Sequence, residues 1–320
     1  RYLVVDGTRA DEDAVLMQEV FDLPDALNDM SPVTLPRRFT TDFIMGGVTD
    51  DLGAQVAEAF GRVARDKDLV VIEGTGHAGV GAVIDLSNAQ VAALLGSPVI
   101  IVSEGGVGRP IDEIVLNRAL FADHGVEVLG AVVNKVDVVS HPHLPDVLVR
   151  GLAQHDVELL GCIPYSEFLA NPSLELIVTH LHGEQVSGRA EPGRTIGHVA
   201  IGAMQPQHAI QHLVERTLLI TPGDREDLLE AALDANQRAR AAPMVSGIVL
   251  TGGYRPSPSL LDRLRSADVF AYLVESDTYR TAQAVDEILV KTHASDTEKI
   301  ATIIDLVGGA LDVDRLLARL

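Results

Sequence analysis

Cysteine occurs once in the 320 residues, at Cys162. A single thiol excludes an internal disulfide and any cysteine metal cluster, and it reads as a small buried hydrophobe. Tryptophan is absent and aromatic residues make up only 4%. The cores must therefore be aliphatic, and Val, Ile, Leu and Ala suit layered α/β packing. Positive charge is scarce: 25 Lys and Arg stand against 46 Asp and Glu, a formal net charge of -21. Such a surface repels phosphate backbones, so no nucleic-acid partner is expected. No apolar run reaches about eighteen residues and the N-terminus is not signal-like, so a soluble, non-secreted, cytoplasmic protein with no membrane partner is expected. What is plentiful is apolar residues, 47% of the chain. At this length they predict two domains with substantial cores.

The first half is organised around residues 69 to 82, Leu-Val-Val-Ile-Glu-Gly-Thr-Gly-His-Ala-Gly-Val-Gly-Ala. Four apolar residues without alternation, Leu69 to Ile72, predict a strand buried on both faces, as in a parallel sheet. Glu73 closes that strand at the carboxyl edge, where open α/β folds bind ligands. Gly74, Gly76, Gly79 and Gly81 follow, and glycines let backbone approach a ligand closely or take positive φ. Apolar strand, acid and glycine loop suit a magnesium ion beside phosphates. A strand followed by a plain turn suits the same letters.

The chain begins abruptly at Arg1-Tyr2-Leu3-Val4-Val5, without Met, so further residues are expected upstream. Asp11, Glu12 and Asp13 open an apolar helical pattern. Either they cap the first turn and favour its dipole, or one of them faces a metal ion. Residues 24 to 50 read as loop, 51 to 65 as an amphipathic helix, and 85 to 96 as a helix stopped by Gly96-Ser97-Pro98. A short strand, Val99 to Val102, runs into Ser103-Glu104-Gly105-Gly106-Val107-Gly108-Arg109-Pro110, and a helix follows from about Ile111 to Gly125. Such a loop can bind an anion at the helix start, with Arg109 adding a bidentate contact, or it can simply turn the chain. Val126 to Val133 predicts a strand ending in Asn134-Lys135-Val136-Asp137. These residues either read a purine edge or form an ordinary charged junction. A helix (146 to 155) and a strand ending in Gly161-Cys162-Ile163-Pro164 complete a βαβαβ alternation, hence an α/β, doubly wound, mostly parallel sheet.

The domain boundary is placed within residues 170 to 190, near the polar run from Gly183 to Arg194 with Pro192 and Gly193. His180 and His182 lie two apart, which puts them on one face of a strand; with no third ligand nearby, no metal is expected there. A second, smaller α/β unit follows. Its strands are Thr195 to Ile201, Thr217 to Thr221, Gly247 to Thr251 and Val269 to Val274; its helices lie over 206 to 214, after Pro222-Gly223-Asp224-Arg225-Glu226-Asp227, and over Ser257 to Ser266. Asp224 and Asp227 are candidate caps. The tail from Ser295 to Leu320 reads as helical, with Val307, Leu311 and Leu316 to pack against the first domain or a partner chain.

Residues 1 to about 175 resemble the dethiobiotin-synthetase-like P-loop domain, in particular the version at the N-terminus of long bacterial phosphate acetyltransferases and in stand-alone relatives. The resemblance rests on Asp11-Glu12-Asp13-Ala14, Glu73 to Gly81, Gly105 to Pro110 and Asn134 to Asp137. Residues 190 to 290 resemble the DRTGG domain, through Gly223-Asp224-Arg225 and Thr251-Gly252-Gly253, supported by Gly202-Ala203-Met204 and Asp277-Thr278-Tyr279. The expected division is 1–180, 190–292 and a helical tail at 293–320. The resemblance implies a nucleotide site at Gly74, Gly76, Gly106, Gly108, Arg109, Asn134, Lys135 and Asp137. It implies magnesium held by Glu73 and Asp13, with Asp11 as the alternative. It implies a regulatory loop of Gly223, Asp224, Arg225, Thr251, Gly252 and Gly253. The Gly-Lys-Ser/Thr loop of that family is absent from these 320 residues, and the family pattern places it before Arg1. Because Asn-Lys-x-Asp also resembles the guanine-specificity motif of GTPases, ATP and GTP both stay open.

Three functions follow as expectations. The first is a nucleotide-binding regulatory protein, a P-loop domain coupled to a DRTGG-like sensor, with weak magnesium-dependent hydrolysis as an option. The second is an ATP-dependent ligase of dethiobiotin-synthetase type acting on a small molecule, with Thr75, His77 and Arg109 as substrate contacts. The third is a non-catalytic scaffold. Acetyl transfer is not expected of this chain, no catalytic residue is assigned, and a homodimer is expected by analogy with DRTGG assemblies.

Overall fold

The computed structural model describes residues 2–36, 38–47, 51–189, 195–238, 243–288 and 290–320. The chain divides into two compact units, Arg1–Tyr165 with Ile304–Leu320, and Ser166–Ile303. Residues 190–194 of the polar run, Pro192 and Gly193 among them, lie outside the described residues.

The first unit opens with an antiparallel hairpin, β1 (Tyr2–Val5) and β2 (Thr8–Asp11). Its two turn residues, Asp6 and Gly7, both have positive φ, 49° and 82°, as a tight Asp-Gly hairpin turn requires. Next come α1 (Glu12–Phe21), α2 (Leu27–Met30), α3 (Phe39–Ile44) and α4 (Leu52–Val63). The expected helix over 51 to 65 is α4, capped by the Asp51 carboxylate, which accepts the Ala54 amide at 2.9 Å. The next helix, α5 (Asn88–Leu95), starts with a full capping box between Ser87 and Gln90 and ends at Gly96 with φ 61°, both local signatures of a helix boundary.

The core of this unit is a three-stranded parallel sheet in the order β3 (Val99–Glu104), β4 (Val128–Val136), β5 (Leu159–Pro164). The crossovers are α6 (Gly108–Asp123) and α7 (Leu144–Ala153). Central β4 buries Ala131, Val133 and Val136, which pack with Ile114 and Phe121 of α6 and with Leu148 and Leu152 of α7. Each large aliphatic side chain fully buried there contributes about 1.5–3 kcal/mol. Cys162 is half-buried against the same core, and burial pushes its thiol pKa up.

One expected strand does not form. Leu69 to Ile72 adopt no regular structure, and Val71 is 86% exposed. An unbroken apolar run encodes burial, but a strand also needs a partner to receive its ladder hydrogen bonds. Among the described residues β3 pairs only with β4, and no strand pairs with 69–73. Asn134 and Lys135 also lie within β4 rather than after it, because that strand runs on to Val136.

The second unit contains α8 (Glu167–Ala170), α9 (Leu174–His180), β6 (Gly183–Ser187), β7 (His198–Ile201), α10 (Pro206–Ala209), β8 (Thr217–Pro222), α11 (Glu226–Arg238), β9 (Val245–Thr251), α12 (Pro258–Ser266), β10 (Phe270–Val274) and α13 (Thr278–Asp286). Its sheet runs β6-β10-β9-β8-β7, parallel throughout except for antiparallel β6 at the edge. Strands β9 and β10 are buried along their whole length, as their unbroken apolar letters predict. His180 ends a helix, with its Nδ1 2.9 Å from the Leu176 carbonyl; it shares no strand face with His182, since the helical period of 174–180 wins locally.

Two helices close the chain, α14 (Thr297–Ala310) and α15 (Val313–Leu317). Residues 304–320 belong to the first unit. There Gly161 leaves room for Ala310 and Leu311, and Arg315 and Arg319 both reach Glu158, at 2.7 and 2.8 Å. Within the second unit, Lys299 is 2% exposed. Its ammonium donates to the carbonyls of Asn171 at 2.6 Å and Leu169 at 3.3 Å. Burial holds its pKa below the usual lysine range, opposed by the Asp296 carboxylate. Lys299→Met should therefore lower the unfolding free energy of the chain by about 1.5–3 kcal/mol, the usual contribution of hydrogen bonds to a charged group, measured by urea titration.

Candidate functional site

The carboxyl end of the first sheet gathers several of the expected residues. Glu104, last in β3, pairs in register with Asn134 of β4. The Asn134 Oδ1 accepts the Lys135 amide at 2.8 Å, and the Lys135 ammonium donates to Glu104 Oε1 at 2.8 Å. Lys135 has φ 56°, a left-handed conformation that costs a residue with a Cβ roughly 1–3 kcal/mol. An exposed ion pair contributes at most about 1 kcal/mol. The kink is therefore held chiefly by strand pairing on both sides, Asn134 to Glu104 and Val136 to Pro164. It brings the Lys135 carbonyl against Gly105, where a Cβ would lie 2.5 Å from that oxygen.

Beyond Gly105, Gly106 takes φ 137° and leads into α6 at Gly108. The Arg109 guanidinium donates to Glu113 Oε1 at 2.7 Å, and the Ser103 hydroxyl donates to Glu113 Oε2 at 3.0 Å. Glu113 thus ties Arg109 back to β3, and both donors hold its carboxyl below the usual range. Asp137 is committed to its own turn: its Oδ1 accepts the Ser140 amide at 2.9 Å, and Ser140 holds its carboxyl below the usual range. Beside this edge lies a cleft of about 460 Å³ lined by Gly106, Val107, Ser140, His141, His143 and Val147 among others.

The loop carrying Gly74 and Gly76 is pinned by two residues that the letters did not single out. Asn88 Nδ2 donates to the carbonyls of Thr75 at 3.0 Å and His77 at 2.9 Å. Asn117 Oδ1 accepts the Ala78 amide at 2.6 Å, while its Nδ2 donates to the Glu113 carbonyl at 2.7 Å. Gly74 is required there, because a Cβ would stand 2.9 Å from the Asn88 side chain. Glu73 is exposed at the head of this loop. Asp11 caps α1, its Oδ1 accepting the Asp13 amide at 3.0 Å. Among the described residues no group of three or more His, Cys, Asp or Glu is placed to hold a metal ion. Glu73, Asp11 and Asp13 offer oxygen donors, which suit magnesium only when phosphates and waters complete its octahedron.

In the second unit the parallel strand ends interlock. The amide of Gly223 donates to Thr251 at 3.1 Å, that of Gly252 to Ser276 at 2.9 Å, and that of Gly253 to Val274 at 2.9 Å. The Thr251 and Thr278 hydroxyls meet at 2.7 Å. Arg225 binds the Met204 carbonyl at 3.0 Å and both Asp227 oxygens, at 2.9 and 3.1 Å. Asp227 therefore turns to Arg225, while Asp224 stands exposed beside the same guanidinium. Gly252 and Gly253 have φ 81° and 71°. Tyr254 is exposed on the loop following β9, and Tyr279 is exposed in the first turn of α13. Among the described residues no helix is long and apolar enough to cross a membrane.

Two outcomes follow from the first unit's edge. Gly105→Ala should destabilise the chain by about 1–3 kcal/mol, the cost of forcing extra volume against backbone, read from urea unfolding. The Lys135 hydrogen bond and charge, in that order, hold the Glu104 carboxyl below its usual range. A depressed acid adds stability that is present above its unfolded pKa and is lost as pH falls through the folded one. Lys135→Met should raise the Glu104 titration midpoint, followed by carboxyl carbon NMR, and flatten that acid limb.

A model of the AAA domain matches residues 3–173, and a model of the DRTGG domain matches residues 176–288. The phosphate acetyltransferase of Nitratidesulfovibrio vulgaris is 26% identical over 321 residues, covering 97% of this chain and 45% of the relative. That of Pseudomonas aeruginosa is 26% identical over 309 residues, covering 90% and 43%. That of Synechocystis is 26% identical over 283 residues, covering 85% and 40%. The chain thus spans less than half the length of these relatives. A solved structure of the CBS and DRTGG domains of a Clostridium perfringens pyrophosphatase, complexed with its activator diadenosine tetraphosphate, aligns with a TM-score of 0.31 and 19% identity over 44% of this chain and 63% of that one. The chain belongs to the AAA-domain family, in its dethiobiotin-synthetase-like P-loop form, with a DRTGG domain behind it.

Proposed function

We propose that this chain is part of a nucleotide-responsive regulatory protein, in which the first unit holds the phosphates and base of ATP or GTP and the DRTGG unit relays the bound state. The observation that carries this reading is the edge built by Glu104, Gly105 to Arg109, Asn134 and Lys135 beside the cleft. Close backbone approach, an oriented guanidinium and a lysine on one sheet edge suit phosphate recognition. Asn134 keeps its amide nitrogen as a donor for a purine edge, its oxygen being engaged by Lys135. When phosphates are bound, magnesium would take Glu73 and Asp13, or Asp11, as oxygen ligands and lower the phosphate charge. The chain's own part is to bind and orient the ligand with loops already fixed in the fold. Acetyl transfer, the activity in the relatives' names, is not part of this reading, since the chain spans less than half of their length.

The test is thermal melting of the natural polypeptide that carries these residues, with ATP, GTP or AMP, each with magnesium. A ligand at 100 times its dissociation constant should stabilise by about 2.7 kcal/mol. Glu73→Gln should weaken the magnesium-dependent shift and leave the melting point of the free protein unchanged. No shift with either triphosphate overturns the reading. Turnover that requires an added small acid or amine replaces it with the ligase.

A further inference from the structure

Four carbonyls of the loop from Gly74 to Gly81 are collected by one helix start. Asn88 Nδ2 takes those of Thr75 and His77. The Ala89 amide takes that of Ala78 at 3.2 Å, and the Asn88 amide takes that of Val80 at 3.2 Å. In a trans peptide the N–H of the next residue points opposite to the carbonyl. The amides of Gly76, Ala78, Gly79 and Gly81 therefore all point away from the first turn of α5. The Ala78 amide is taken by Asn117 Oδ1 and the Gly79 amide by His77 Nδ1 at 3.2 Å. Among the described residues no acceptor takes the Gly76 amide. Gly76 also has φ 67°, and successive amides in such a turn form a concavity suited to an anion.

We infer that Asn88 and Asn117 are positioning residues that aim the Gly76 amide at a phosphate oxygen of the bound nucleotide. Asn88 fixes the direction by holding the carbonyl of the preceding peptide. Asn117 stops the loop from turning, because its own carboxamide is locked on the α6 backbone at Glu113. Loop and helix α6 are thereby held together, and α6 also carries Arg109 and Glu113. An amide already aimed loses little freedom on binding, so the bond is made at low entropic cost. The inference rests on the nucleotide reading above and adds to it two residues and one atom.

The experiment is a titration of the natural polypeptide, labelled with nitrogen-15, with MgATP, MgGTP and inorganic tripolyphosphate, followed by amide NMR. The Gly76 proton should move downfield as the ligand saturates. Asn88→Asp keeps the size of the side chain and removes both donors; it should abolish the Gly76 shift and weaken binding about tenfold, the range of one charge-assisted bond. Asn117→Ala should speed exchange of the Ala78 amide in the free protein and weaken binding by a smaller factor. If other amides shift on saturation while Gly76 stays still, the positioning role is overturned and nucleotide binding stands. If no amide shifts with any of the three, both fall. An unfolded Asn88→Asp variant leaves the wild-type titration to decide alone.

Discussion

The kink at Lys135 is the constraint on which the carboxyl edge of the first unit's sheet depends. A left-handed residue inside a central strand is costly, and the neighbouring exposed ion pair is too weak to hold it. The pairing of β4 on both sides holds it instead. The consequence is local and definite. The Lys135 carbonyl closes on Gly105, its ammonium reaches Glu104, and Asn134 folds its oxygen back onto the chain. Three features that would otherwise be independent, a glycine, a charge and a hydrogen-bonding amide, are set by one backbone angle.

Around this edge the polypeptide carries a formal charge of -21, which disfavours any anionic ligand at long range. A phosphate site on such a chain must be made locally, from amides and a few fixed cations. In the proposed site, the glycine loop clasped by α5 and α6 and the Arg109 held by Glu113 would be devices of that kind. In the second unit the strand ends are joined differently. The loops after β8, β9 and β10 exchange backbone hydrogen bonds with one another, and hydroxyls and Arg225 bridge the rest. Gly223, Gly252 and Gly253 serve close backbone approach and positive φ there, so the letters that define the DRTGG resemblance are first of all the letters of a tightly closed sheet edge.

What the sequence alone determined is whatever depends on neighbours three or four residues apart, or on composition. The capping box at Ser87 and Gln90, the stop at Gly96, the Asp51 cap and the unbroken apolar letters of β9 and β10 each specify their element locally. Family and fold class were legible for the same reason, since the loop letters of both units stand in order along the chain. Partnership was decided only by the tertiary structure. Leu69 to Ile72 and Val99 to Val102 carry the same pattern, yet only the second finds a ladder. Asn88 and Asn117 escaped notice because the loop groups they bind lie up to 39 residues away. A hydrogen bond over that separation leaves no period in the sequence, and only the folded chain brings its two ends together.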